Sequence, residues 1–198
     1  MEIVFQIIVL VFSAIFHEYA HGAMAYSLGD PTAKNAGRLT LNPIRHLDWF
    51  GSILLPAVMM ITQLPFVFGW AKPVPFNPFL LKDRRWGEAK VALAGPASNL
   101  ALAVALGLLI RFVPFSATLT SLLAIVVLIN IVLAIFNLVP IPPLDGSKIL
   151  AAFLPEKARY KFLSLERFGF VFVILFVMLG IEIIQPLIFG LFRLITGF

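Results

Sequence analysis

The sequence predicts an all-α polytopic membrane protein with about four to six membrane segments, a possible re-entrant segment among them, and a short cytoplasmic-side strand. Three observations carry that expectation. Of 198 residues, 61% are hydrophobic and 13% charged. Soluble domains carry about 25% charged residues, so half that fraction leaves too little polar surface for a water-soluble sphere. The apolar residues fall in runs long enough to cross a bilayer, and Lys and Arg gather between those runs. The net charge of +5 therefore reads as the bias of cytoplasmic loops, with no nucleic-acid partner implied. The length suits one membrane-embedded domain over residues 1–198. With no cysteine in the chain, any metal must be held by nitrogen and oxygen.

In chain order, Glu2–Leu28 reads as one spanning helix, stopped by Gly29-Asp30-Pro31. It has no basic leader and no small-residue cleavage site, so it is expected to be retained. Arg38-Leu39-Thr40-Leu41 alternates between Gly37 and Asn42-Pro43 and reads as a short strand. Phe50–Phe68 is divided by Gly51, Pro56 and Pro65, and residues 69–78 are held extended by prolines. Spans follow from about Glu88 to Phe112 and from Ala117 to Val139, the second meeting Pro140-Ile141-Pro142-Pro143. Helical patterning resumes over Asp145–Leu154. A charged stretch, Glu156–Arg167, precedes a last span, Phe168–Ile184, with Pro186 separating a terminal apolar piece.

Charge decides the divided segment. If Phe50–Phe68 dips in and returns, Lys34, Arg38, Arg45, Lys72, Lys82, Arg84, Arg85 and Lys90 share one face. Only Arg111 and Arg193 then lie opposite the bulk of the basic residues. The positive-inside rule favours that re-entrant arrangement, with the N-terminus outside and most loops cytoplasmic.

Within the first span stands His17-Glu18-Tyr19-Ala20-His21. A carboxylate at membrane depth costs roughly 2.5–3.5 kcal/mol even on the lenient insertion scale, so it usually serves a purpose. His17 and His21 are four residues apart and share a helix face, a spacing at which two imidazoles bind one Zn2+. Glu18 then stands where it can activate a water. The plainer reading is a polar notch that bonds neighbouring helices. A catalytic zinc needs a third protein ligand, for which His46, Asp48, Asp145 and Glu182 are candidates. Asp145 stands out because it follows a proline-broken span, where irregular backbone can line a polar cavity. Depth agrees if its helix runs along the membrane normal: His21 lies about 10 Å and Asp145 about 13 Å from their helix ends, at 1.5 Å per residue. His46 and Asp48 otherwise read as loop-organising residues, and Glu182 as a packing or interfacial one. The strand at Leu39-Thr40 offers an edge onto which an unwound segment could add, and Lys72–Phe76 is a second such stretch.

HEYAH on the first span, Gly95-Pro96-Ala97-Ser98-Asn99 on the third apolar segment, and Asn137-Leu138-Val139-Pro140-Ile141-Pro142-Pro143-Leu144-Asp145-Gly146 together resemble the site-2 protease family of intramembrane zinc metalloproteases. The pieces GRLTLNPIRHLDWFGS and GWAKPVPFNP look like its compact bacterial and archaeal branch. The resemblance runs from about Ile15 to Leu150. It implies one catalytic zinc held by His17, His21 and Asp145, with Glu18 as general base. It also implies that Asn137 and Asn99 hold substrate or oxyanion, and that Gly95 and Pro96, otherwise marks of close helix packing, contact substrate. The substrate would be a transmembrane protein, cleaved within the lipid bilayer of a prokaryotic cell. The chain shows no PDZ or nucleotide-sensing segment of the larger members. Two other readings use the same residues: a metal-ion carrier with a His/His/Asp transit site, and a catalytically silent relative that binds membrane proteins.

Overall fold

The computed structural model describes residues 2–54, 58–59, 61–62 and 72–198. Its helices are α1 (Glu2–Ser27), α2 (Thr32–Asn35), α3 (Arg84–Phe112), α4 (Ala117–Leu138), α5 (Asp145–Phe153), α6 (Glu156–Leu163), α7 (Gly169–Leu179) and α8 (Ile181–Thr196). Four stretches are long and apolar enough to cross a membrane: Ile3–Ser27, Arg85–Phe112, Ala117–Leu138 and Glu156–Leu179. The chain is a multi-pass integral membrane protein.

Local chemistry sets the helix limits. The Asp83 carboxylate accepts from the backbone N–H groups of Arg85 and Trp86 and starts α3 four residues before the predicted Glu88. Ser116 caps α4 in the same way. The last span breaks at Gly180, not at Pro186, which lies inside α8. A proline in the second turn of a helix loses only one internal hydrogen bond, while Gly180 lets the chain turn where a Cβ would strike the Phe176 ring at 2.4 Å. α8 then packs onto α3 and α4 through Ile184, Ile188 and Ile195 against Ala103, Ile110, Val127 and Ile131.

The ends of the bundle are tied. The Lys82 N–H donates to the Leu28 carbonyl at 3.0 Å, joining the end of α1 to the start of α3. Arg85 donates to the carbonyls of Ala152 and Leu154 at the C-terminal end of α5, and Arg159 pairs with Glu88. At the opposite end Arg111 donates to the Leu194 carbonyl of α8. Leu28 and Lys82 therefore lie on one face and Arg111 on the other. The predicted re-entrant course of Phe50–Phe68 falls for the most part outside the described residues.

Among the described residues no strand is present, so the expected strand at Arg38–Leu41 is corrected. A strand needs a ladder partner. Here the segment folds on itself: Arg38 donates to the Arg45 carbonyl, and His46 Nε2–H donates to the Thr40 carbonyl at 2.7 Å.

The tied ends give an expected result for topology. In this cysteine-free chain, Asn35→Cys and Lys82→Cys, both exposed, should stay unlabelled by an impermeant thiol reagent on intact cells and react once the membrane is opened. Thr118→Cys, beside the Arg111 end, should label from outside. Labelling of Lys82→Cys but not Asn35→Cys on intact cells would separate the ends that the Leu28–Lys82 bond joins.

Candidate metal centre

His17 and His21 lie one turn apart on α1, and Asp145 is the first residue of α5. Gly146 makes the meeting possible. A Cβ there would sit 2.1 Å from the Leu138 carbonyl oxygen, so only glycine lets α5 start this close to the end of α4. The turn between them, with a cis Pro142–Pro143 bond, sets Asp145 against the histidines. Its Oδ2 is 3.0 Å from His17 Nε2 and 3.1 Å from His21 Nε2, and all three residues are buried.

The protonation of both rings follows from backbone carbonyls. The Asn99 amide nitrogen faces the Ser13 carbonyl at 3.2 Å and Asn130 Oδ1 at 2.7 Å, so its Oδ1 must face His17. His17 Nδ1 lies 2.6 Å from that oxygen and carries the proton that it accepts. His21 Nδ1–H donates to the Val91 carbonyl, also at 2.6 Å. Both Nε2 atoms are left with lone pairs, turned toward a carboxylate oxygen. Three acceptors converge with no donor among them, an arrangement that calls for a proton or a cation. Metal-binding histidines characteristically fix their second nitrogen in this manner. The donor set of two imidazoles and one carboxylate suits zinc. Gly95 keeps the space open: a Cβ there would lie 2.5 Å from both Nε2 atoms.

Glu18 joins this group, its carboxylate oxygen and the two imidazole nitrogens lying within 4.8 Å of one another. Its Oε2 accepts the Val74 backbone N–H at 2.8 Å. The extended stretch at residues 72–76 is thus beside the centre, as is Leu39, whose side chain lies within contact reach of Gly22 on α1.

Other predicted residues stand elsewhere. Asn99 has no exposed surface and spends its carboxamide on His17, Ser13 and Asn130, so its contacts support the histidine. Pro96 is fully buried within α3. Asn137 Nδ2 turns back to the Leu133 carbonyl at 2.9 Å. Half-buried Thr40 gives its carbonyl to His46. His46 is buried in the loop, and the Lys72 N–H donates to its carbonyl. Glu182 is exposed in the first turn of α8. Two residues absent from the predicted site complete the network: Asn130 Nδ2 donates to Ser13 Oγ at 2.9 Å. An asparagine in the middle of an otherwise apolar span was the available signal for Asn130. Ser13 had none.

A His-Glu-x-x-His helix completed by a distant aspartate, inside a bundle of membrane-length helices, defines a membrane-embedded metallohydrolase site. The model of peptidase family M50 matches residues 114–181. The chain is 42% identical to the putative zinc metalloprotease YwhC of Bacillus subtilis, over 93% of this chain and 85% of that protein. It is 30% identical to the putative zinc metalloprotease MJ0611 of Methanocaldococcus jannaschii, over 74% of this chain and 72% of that one. Rip2 of Mycolicibacterium smegmatis, also named a putative zinc metalloprotease, is 31% identical over 82% of this chain, which spans 62% of it. No solved structure matches. The chain belongs to peptidase family M50, the site-2 type of zinc metalloprotease.

Proposed function

We propose that this chain is an intramembrane zinc endopeptidase that cleaves transmembrane segments of other membrane proteins. The observation that carries the reading is the convergence of His17 Nε2, His21 Nε2 and Asp145 Oδ2 beside the Glu18 carboxylate. His17, His21 and Asp145 would hold the metal, with Asn99 and the Val91 carbonyl fixing the two rings. Zinc supplies Lewis acidity there, lowering the pKa of a water toward roughly 7 and polarising the scissile carbonyl. Glu18 takes the proton of the attacking water and returns it to the leaving amine. Asn137 is the penultimate residue of α4, at the end that leads to Asp145. Its Oδ1 and second N–H hold no hydrogen bond among the described residues, which leaves the carboxamide free to steady an oxyanion.

A substrate helix must unwind before attack, because its carbonyls are hydrogen-bonded within the helix. Residues 38–41 and 72–76 both reach α1 at Gly22, and we assign the unwound segment to the path beside them, with Leu39 and Thr40 on one side and Gly95 at its floor; Pro96, fully buried, serves helix packing.

The test is metal removal. Purified protein treated with a chelator should lose cleavage of a co-purified single-span substrate and regain it on adding zinc. Cleavage that persists in zinc-free protein would overturn the reading.

A further inference from the structure

In the run Lys72-Pro73-Val74-Pro75-Phe76, both neighbours of Val74 are prolines and have no N–H. Pro75 also confines Val74 to extended backbone. The run therefore carries one main-chain donor at its centre, and that donor is given to Glu18 Oε2 at 2.8 Å. Its ends are anchored independently. The Lys72 N–H donates to the His46 carbonyl at 2.8 Å, and the Asn77 N–H to the Asp30 carboxylate at 2.6 Å. Asp30 is fully buried. Burial pushes its carboxyl up, but hydrogen bonds from the Thr32 side chain and the Asn77 and Thr32 backbones outweigh that and hold it below the ordinary carboxylate value. Phe76 packs on the Ala25–Leu81–Val91 cluster, and buried Val74 seats its side chain over Gly22, one turn beyond Glu18. A segment pinned on both sides of Val74 is a fixed wall and not a swinging cover.

We propose that Val74 is a positioning residue for Glu18. Its main-chain N–H holds one carboxylate oxygen in place and leaves Oε1, which has no hydrogen-bond partner among the described residues, for the reacting water. The proposal rests on Glu18 being the general base.

Two measurements test it, one of them independent of activity. In zinc-loaded protein, amide hydrogen exchange at Val74 should be slow, and Glu18→Ala should speed it roughly 10- to 100-fold. Glu18→Gln, which keeps an acceptor oxygen, should leave most of the protection. Equal exchange in parent and Glu18→Ala would overturn the proposal and leave the protease reading standing. For activity, the probe is a synthetic single-span peptide carrying a fluorophore and a quencher on either side of the bond that the parent cleaves. Val74→Ala measures what the side chain contributes. Val74→Pro, which suits the extended run, removes the donor and sets its ring Cδ where the N–H met Glu18 Oε2, so it should have a kcat roughly 10- to 100-fold below that of Val74→Ala, with zinc content alike. Equal kcat in the two variants, or a gain in Val74→Pro, would overturn the positioning role. Full activity in Glu18→Gln would instead sink the assignment of the base.

Discussion

Glu18→Gln should reduce cleavage to background while the protein keeps its fold and its zinc. The substitution preserves shape and one acceptor oxygen, so the Val74 N–H keeps a partner. What disappears is the ability to take a proton. General-base catalysis contributes typically about 10²–10⁴-fold, and a loss of that size in kcat is expected here. The histidines and Asp145 are untouched, so metal content should match the parent. The measurement pairs a cleavage assay with metal analysis on one preparation. Parental turnover in Glu18→Gln would remove Glu18 from the mechanism and favour a carrier, in which only its charge would matter.

Asp145→Ala should lose both cleavage and tightly held zinc. Among the described residues its Oδ2 is the one anionic atom that meets both imidazoles, at 3.0 and 3.1 Å. Without it the two Nε2 atoms offer an incomplete and uncharged set. The loss in zinc affinity should exceed the roughly 10- to 100-fold typical of residues that only support a ligand. Asp48→Ala is the contrast. Asp48 accepts the Gly51 N–H at 2.7 Å within the loop, and its variant should retain most zinc and activity. Metal analysis of both variants decides the matter; the reverse pattern would name the wrong third ligand.

How far the site was legible depended on the range of each interaction. His17 and His21 share a face by helix geometry alone, so their pairing could be read directly. Asp145 is 128 residues from His17; helical rise gives it a matching depth only if its helix runs along the membrane normal, and the family resemblance is what names it as a ligand, while the structure brings the two side chains together. The apolar runs announced the spans for the same reason that they enter lipid. Arg38–Leu41 failed as a strand because alternation states a preference while a ladder requires a partner. The last break went to Pro186 instead of Gly180 because the cost of a proline depends on how deep it lies in the helix. Asn99 looked free to touch substrate. Its use for His17 depends on Ser13 and Asn130, two groups on other helices that no local pattern connects to it. The Val74 contact with Glu18 was equally hidden, since it belongs to the backbone.

The chain of hydrogen bonds from Ser13 through Asn130 and Asn99 to His17 also bears on biosynthesis. These groups enter the bilayer on three helices, Ser13 and His17 on α1, Asn99 on α3 and Asn130 on α4, and each is a burden to its own helix until its partner arrives. During synthesis α1 is made before α3, α4 and α5, with an imidazole pair whose partners on those helices do not yet exist. Asn99 comes with α3, Asn130 with α4, and Asp145 last of all. The nascent enzyme is therefore inert until elongation passes residue 145 and its helices have docked in register.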